Sequence, residues 1–201
     1  MRVAIVVLGL IAIVWIWTIH SKHRTEHRLA GVASELAGRP VGVRCQGFFA
    51  ELVDIGQRTG EVDFPANRPP DHMFLTRGIC GQLRHFLGSH SHRDLDCLTT
   101  IDWRTWSFQT GWFGTCERHA RADAEAITTL AHESMHLRGI QSESEAQCKA
   151  VQADAWTTVR LGGTAEQGLA VARYVLALQP GMSPEYQFGR CPLPPVPLIP
   201  S

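Results

Sequence analysis

The residues whose types and spacing can do chemistry are His132-Glu133-Ser134-Met135-His136. Two histidines four positions apart lie one turn apart on a helix and point the same way, so both imidazoles reach one metal ion. A glutamate directly after the first histidine stands beside such an ion without ligating it. From there it can take a proton from a water. The plain alternative is a helix carrying two exposed histidines and a surface acid. The helical context and the residues that follow favour the metal, and zinc is the ion this arrangement suits.

Two helices must position these groups. Over residues 123–138, Ile127, Leu130, Ala131 and Leu137 recur on one face, with Asp123 as the expected N-cap and Gly139 as the stop. After a short turn, Ser142 and Glu145 form an S-x-x-E capping box, which makes Ser142 an N-cap and Glu143 the first helical residue. The box commits Glu145 to the backbone. Glu143 can then turn back toward the histidines, kept ionised by the helix dipole. Glu143 is therefore the expected third ligand with His132 and His136, and Glu145 is the reserve. The plain reading of Glu143 is a solvated first-turn acid.

The stretch HESMHLRG, with a glutamate close behind it, resembles the zincin metallopeptidases. A glutamate as third ligand is gluzincin-like, and the close spacing with a glycine after the second histidine is similar to metzincins. The longer stretch HESMHLRGIQSESEAQCKAVQ also resembles zincin-like proteins of bacterial cell envelopes. The gluzincin E-x-x-x-D pattern is absent, because Gln147 and Lys149 stand four residues after Glu143 and Glu145. The resemblance implies a peptide or protein substrate, a zinc cofactor held by His132, His136 and Glu143, and Glu133 as the catalytic general base. It also implies a small sheet laid over the metal helix. An oxyanion partner is normally needed too, and Tyr174, Tyr186, His119 and Arg138 are candidates. The alternative is a non-catalytic zincin-like zinc-binding module that binds a cell-envelope partner. A third reading is a membrane-tethered scaffold that binds through its proline tail.

Lys plus Arg and Asp plus Glu number 19 each, so the net charge is zero and no nucleic-acid partner is indicated. Residues 3–19 are an apolar run broken only by Gly9 and Thr18, with Trp15 and Trp17 near its end. A spanning helix needs about 17–25 such residues, so residues 1–20 are expected to be a transmembrane signal anchor. A cleaved signal peptide is the alternative. Lys22, Arg24 and Arg28 follow the run, and by the positive-inside rule they place the chain's body in the cytoplasm. The cysteines argue the other way. Cys45, Cys80, Cys97, Cys116, Cys148 and Cys191 are dispersed and even in number, without a C-x-x-C pair. They read as a disulfide framework in an oxidising compartment. The expectation is a single-pass membrane protein with an extracytoplasmic domain.

Residues 21–39 read as a juxtamembrane stalk, 40–190 as the zincin-like domain and 191–201 as a proline-rich tail tethered by Cys191. Short strands are expected over residues 41–45, 60–64 and 72–76. Helices are expected over residues 79–87, 142–161 and, behind a Thr164/Gln167 capping box, up to Gln179. His90 and His92 fall in a polar loop. Trp103, Trp106, Phe108, Trp112 and Phe113 form an aromatic cluster, either core or cleft lining. The fold class is α+β: a small N-terminal sheet packed on three long helices, the first two carrying the metal.

Overall fold

Apolar residues at helical spacing dominate the chain, and six α-helices and three short strands result among the described residues. The computed structural model describes residues 2–47, 60–61, 68–88, 91–103, 116 and 118–194; for residues 2–8, 11–12, 14–17 and 91–92 it describes the backbone. The elements are α1 (Arg2–Ala37), β1 (Gly42–Cys45), β2 (Gly60–Glu61), β3 (His72–Leu75), α2 (Arg77–Phe86), α3 (Asp96–Thr99), α4 (Arg118–Leu137), α5 (Glu143–Leu161) and α6 (Ala165–Leu178). A 3-10 turn at Ser91–Leu95 leads into α3, and two more follow α6 at Gln179–Gly181 and Pro184–Tyr186. The expected α+β class is present, with a small sheet and long helices.

The sheet has the order β1-β3-β2. β1 runs parallel to β3, Gly42 opposite His72 and Cys45 opposite Leu75. β2 is antiparallel to β3, with Gly60 opposite Leu75. Val43, Met73 and Leu75 point into the core, as the two-residue period of a strand requires. The expected first and third strands are these. Residues 62–64 of the expected second strand lie outside the described residues, as does most of the aromatic cluster.

α4 is the axis of the core. It packs against α1, α2, α5, α6 and β3, and Ala124, Ile127, Leu130, Ala131 and Met135 are fully buried on it. α5 is capped by the Ser142 hydroxyl, which accepts from Glu145 N at 3.4 Å, and it ends at Gly162 with φ 112°. α6 opens with both halves of the Thr164/Gln167 capping box. α5 and α6 approach closely because Gly168 has no side chain: a Cβ there would lie 2.5 Å from Ala155 Cα.

Two expectations are corrected. α4 begins at Arg118, so Asp123 is not an N-cap but a fully buried residue in the helix interior. The buried stripe runs back through Ala124 and Ala120, and Asp123 falls in its phase. Residues 21–39 are not a stalk. α1 is continuous, and Leu29, Val32, Ala33 and Leu36 on its second half join the core. Each buried leucine contributes about 1.5–3 kcal/mol, which ties this helix to the domain. The folded unit therefore starts well before Pro40. As for the apolar run, no helix among the described residues is long and apolar enough to cross a membrane.

The six cysteines form three disulfides, Cys45–Cys80, Cys97–Cys116 and Cys148–Cys191. The first ties β1 to α2. The third tethers the tail to α5, where Gln152 Nε2 also donates to Pro192 O at 3.1 Å.

Candidate metal centre

α4 brings His132 and His136 to one face near its C-terminal end, and α5 begins across the turn with Glu143. The turn is built by Gly139, whose φ of 107° is in the left-handed region. Ile140 N donates back to Met135 O at 3.1 Å, and Arg39 donates to Leu137 O at 2.8 Å, so the end of α4 is satisfied from two sides. This reversal delivers the Ile140 carbonyl to His136, which donates from Nδ1 at 2.7 Å. His136 Nε2 is then left with its lone pair pointing inward.

Three ligand atoms converge there. His132 Nε2 lies 2.9 Å from Glu143 Oε2 and 3.0 Å from His136 Nε2, and His136 Nε2 lies 3.2 Å from the same Glu143 oxygen. Corners of so nearly equilateral a triangle stand about 1.75 Å from its centre, within the ~2.0–2.1 Å of a zinc–nitrogen or zinc–oxygen bond. Burial, and secondarily the neighbouring His132, hold the His136 imidazole below its usual pKa. The hydrogen bond with His132 holds the Glu143 carboxyl below the usual carboxylate range. Neutral imidazole and ionised carboxylate are the metal-binding forms of these groups. These three groups lie close enough together to hold a metal ion.

Glu143 reaches the histidines, but the expected capping box is only half formed: Glu145 gives the Ser142 hydroxyl its backbone N–H, and its side chain is exposed. Glu133 is only 6% exposed, as is Gln147, while His132 and His136 are 5% and 4% exposed. Strand β2 crosses directly beside Glu133: a Cβ on Gly60 would lie 2.6 Å from Glu133 Oε1. Only a glycine lets the backbone come so near. His132 Nδ1 is buried without a hydrogen-bond partner among the described residues. This agrees with the missing E-x-x-x-D pattern.

The four oxyanion candidates separate. The Tyr186 ring lies 5.6 Å from the His132 ring, centroid to centroid. Tyr174 is buried on α6 and donates to Glu125 Oε1 at 2.8 Å. Burial, reinforced by the Glu125 charge, pushes its phenol up. Glu125 is about 10 Å along α4 from His132, and His119 about 20 Å, at 1.5 Å per residue. Arg138 follows α4 directly, at the turn into Gly139. Of the four, Tyr186 is the candidate whose ring lies beside His132.

Reasoning from sequence missed a second group. His85, Asp94 and Asp123 bring one ligand atom each to within 4.8 Å of one another. The available signal was an acid, Asp123, in phase with an apolar stripe.

No protein-family model, curated protein or solved structure matches the chain.

Proposed function

We propose that this protein is a zinc-dependent metallopeptidase of zincin type, anchored to a membrane by residues 1–20. The observation that carries this reading is the convergence of His132 Nε2, His136 Nε2 and Glu143 Oε2, with Glu133 directly following the first ligand. A zinc ion bound there supplies Lewis acidity, lowering the pKa of a water toward ~7 and polarising a carbonyl. The chain's own residues do the rest. His136 is oriented by its bond to the Ile140 carbonyl. Glu133 takes a proton from the attacking water and passes it to the leaving amine, so the reaction consumes no net proton. Tyr186, whose ring lies beside that of His132, is the candidate donor to a developing oxyanion. The three disulfides support an oxidising, extracytoplasmic setting.

The near-complete burial of Glu133 favours a second reading, a closed zinc-binding module without turnover. Glu133→Gln separates the two. It keeps the side chain's shape but cannot accept the proton. Peptide-library turnover by the zinc-loaded full chain should fall by about 10²–10⁴-fold with zinc content unchanged. A folded, zinc-loaded parent that cleaves nothing would establish the module instead.

A further inference from the structure

We infer that the protein binds a second divalent cation through His85, Asp94 and Asp123, at a site separate from the His132 centre. The three residues come from three elements: His85 from α2, Asp94 from the 3-10 turn that follows it, and Asp123 from α4. Asp123 lies nine residues before His132 on the same helix, a rise of about 13–14 Å along its axis.

The buried member points to a ligand. Asp123 is 0% exposed, and its Oδ1 accepts from Gln82 Nε2 at 2.6 Å. Its Oδ2 is buried with no hydrogen-bond partner among the described residues. A buried carboxylate oxygen without a partner is destabilising, and a cation removes that cost. Burial pushes the Asp123 carboxyl up to about 6, Gln82 opposes this, and the nearby Asp94 charge adds to the rise. A second acid beside a buried first one is unfavourable in a cation-free protein and is what a cation site needs.

His119 borders the cluster without belonging to it. It stands one turn before Asp123 on α4, and its ring lies 5.9 Å from that of His85. The ligand atoms of His85, Asp94 and Asp123 lie within 4.8 Å of one another. Side-chain rotation brings such atoms to the roughly 3.3 Å separation of a tetrahedral zinc shell. One imidazole with two carboxylates suits zinc or a neighbouring transition metal rather than calcium or magnesium. A cation there clamps α2 and the following turn onto the first third of α4. This role does not depend on the hydrolase reading.

The test is zinc stoichiometry of the full-length protein after dialysis against low-micromolar zinc, measured by elemental analysis. Four proteins are compared: the parent, His132→Ala, Asp94→Asn, and the His132→Ala/Asp94→Asn double variant. Asp94 is half-buried and at a turn, so its replacement spares the core that Asp123→Asn risks; His85→Ala serves as a second probe. The expected contents are two equivalents in the parent, one in each single variant and none in the double variant. Added zinc should raise the melting temperature of His132→Ala but not of the double variant. A parent with one equivalent that survives Asp94→Asn and His85→Ala overturns the second site and leaves the His132 centre standing. One equivalent lost with Asp94 and His85 but kept in His132→Ala supports the second site and removes the hydrolase centre. A parent that binds no zinc overturns both.

Discussion

Replacing Gly60 by alanine tests how closely Glu133 is held. Gly60 pairs with β3 opposite Leu75. A Cβ there would stand 2.6 Å from Glu133 Oε1 and 2.7 Å from both Cδ and Cγ. Ordinary contact between such atoms begins near 3.5 Å, so something must move by about 0.8–1 Å. The strand backbone is held by its ladder to β3, and the glutamate side chain has rotatable bonds, so Glu133 gives way. Pushing a side chain off its rotamer costs about 0.5–1.5 kcal/mol. In a chain of this size that lowers the melting temperature by only a few degrees, at ~2–4 °C per kcal/mol. The chemistry is far less tolerant, since a catalytic group displaced by 1 Å can lose about 10²-fold in rate. The assay is peptide turnover with zinc content and thermal melting measured on the same sample. The expected result is turnover down by about two orders of magnitude, zinc content unchanged and a small melting shift. Parental turnover in Gly60→Ala would refute the argument that this strand sets the position of the base.

Glu143→Ala should weaken zinc binding by more than 100-fold in competition with a chelator, since even outer-shell partners of metal ligands are worth 10–100-fold. Glu145→Ala should leave zinc affinity unchanged, since Glu145 gives the Ser142 cap only its backbone N–H; the reverse pattern would defeat the assignment of Glu143. Asp154 is fully buried, and burial pushes its carboxyl well above the usual range, opposed by the Thr128 hydroxyl at 3.0 Å. The folded state therefore holds a proton that the unfolded chain releases near pH 4, so this group's stabilisation is present at low pH and declines as pH rises toward its folded pKa. Asp154→Asn should flatten that decline in urea melts from pH 4 to 8, and an unchanged slope would mean that Asp154 is not protonated in the fold. For topology, protease added to intact cells should reach the domain; full protection together with six free thiols would place it in the cytoplasm.

Much of the candidate centre was legible because it is local. His132, Glu133, His136 and Glu143 lie within twelve residues, and helical spacing plus the Ser142 cap suffice to aim them. The end of α5 at Gly162 and the start of α6 at the Thr164/Gln167 box rest on stereochemistry that is equally local. What sequence reasoning missed depends on distant partners. Asp123 looks like a cap to any rule that reads a few residues at a time, and only the packing of α2 and the 3-10 turn shows it as an interior carboxylate. The second half of α1 reads as polar because Lys22, Arg24 and Arg28 precede it, yet Leu29 and Leu36 face the core one side of the helix away. Gly60 carried no signal, since its meaning lies in a side chain seventy-three residues further on.

The disulfide pattern has a consequence for how the chain can be made. Each bridge joins two cysteines that are neighbours in the order of cysteines along the chain, 45 with 80, 97 with 116 and 148 with 191. Of the fifteen ways to pair six cysteines, this is the one that results when each pair closes before the next cysteine arrives. A chain delivered N-terminus first into an oxidising space can therefore reach its native bridges in sequence, with no mispaired bond to break and remake. In that order the bond at Cys191 comes last, after α5 has been laid down, and it closes the segment that carries Tyr186, whose ring lies 5.6 Å from that of His132.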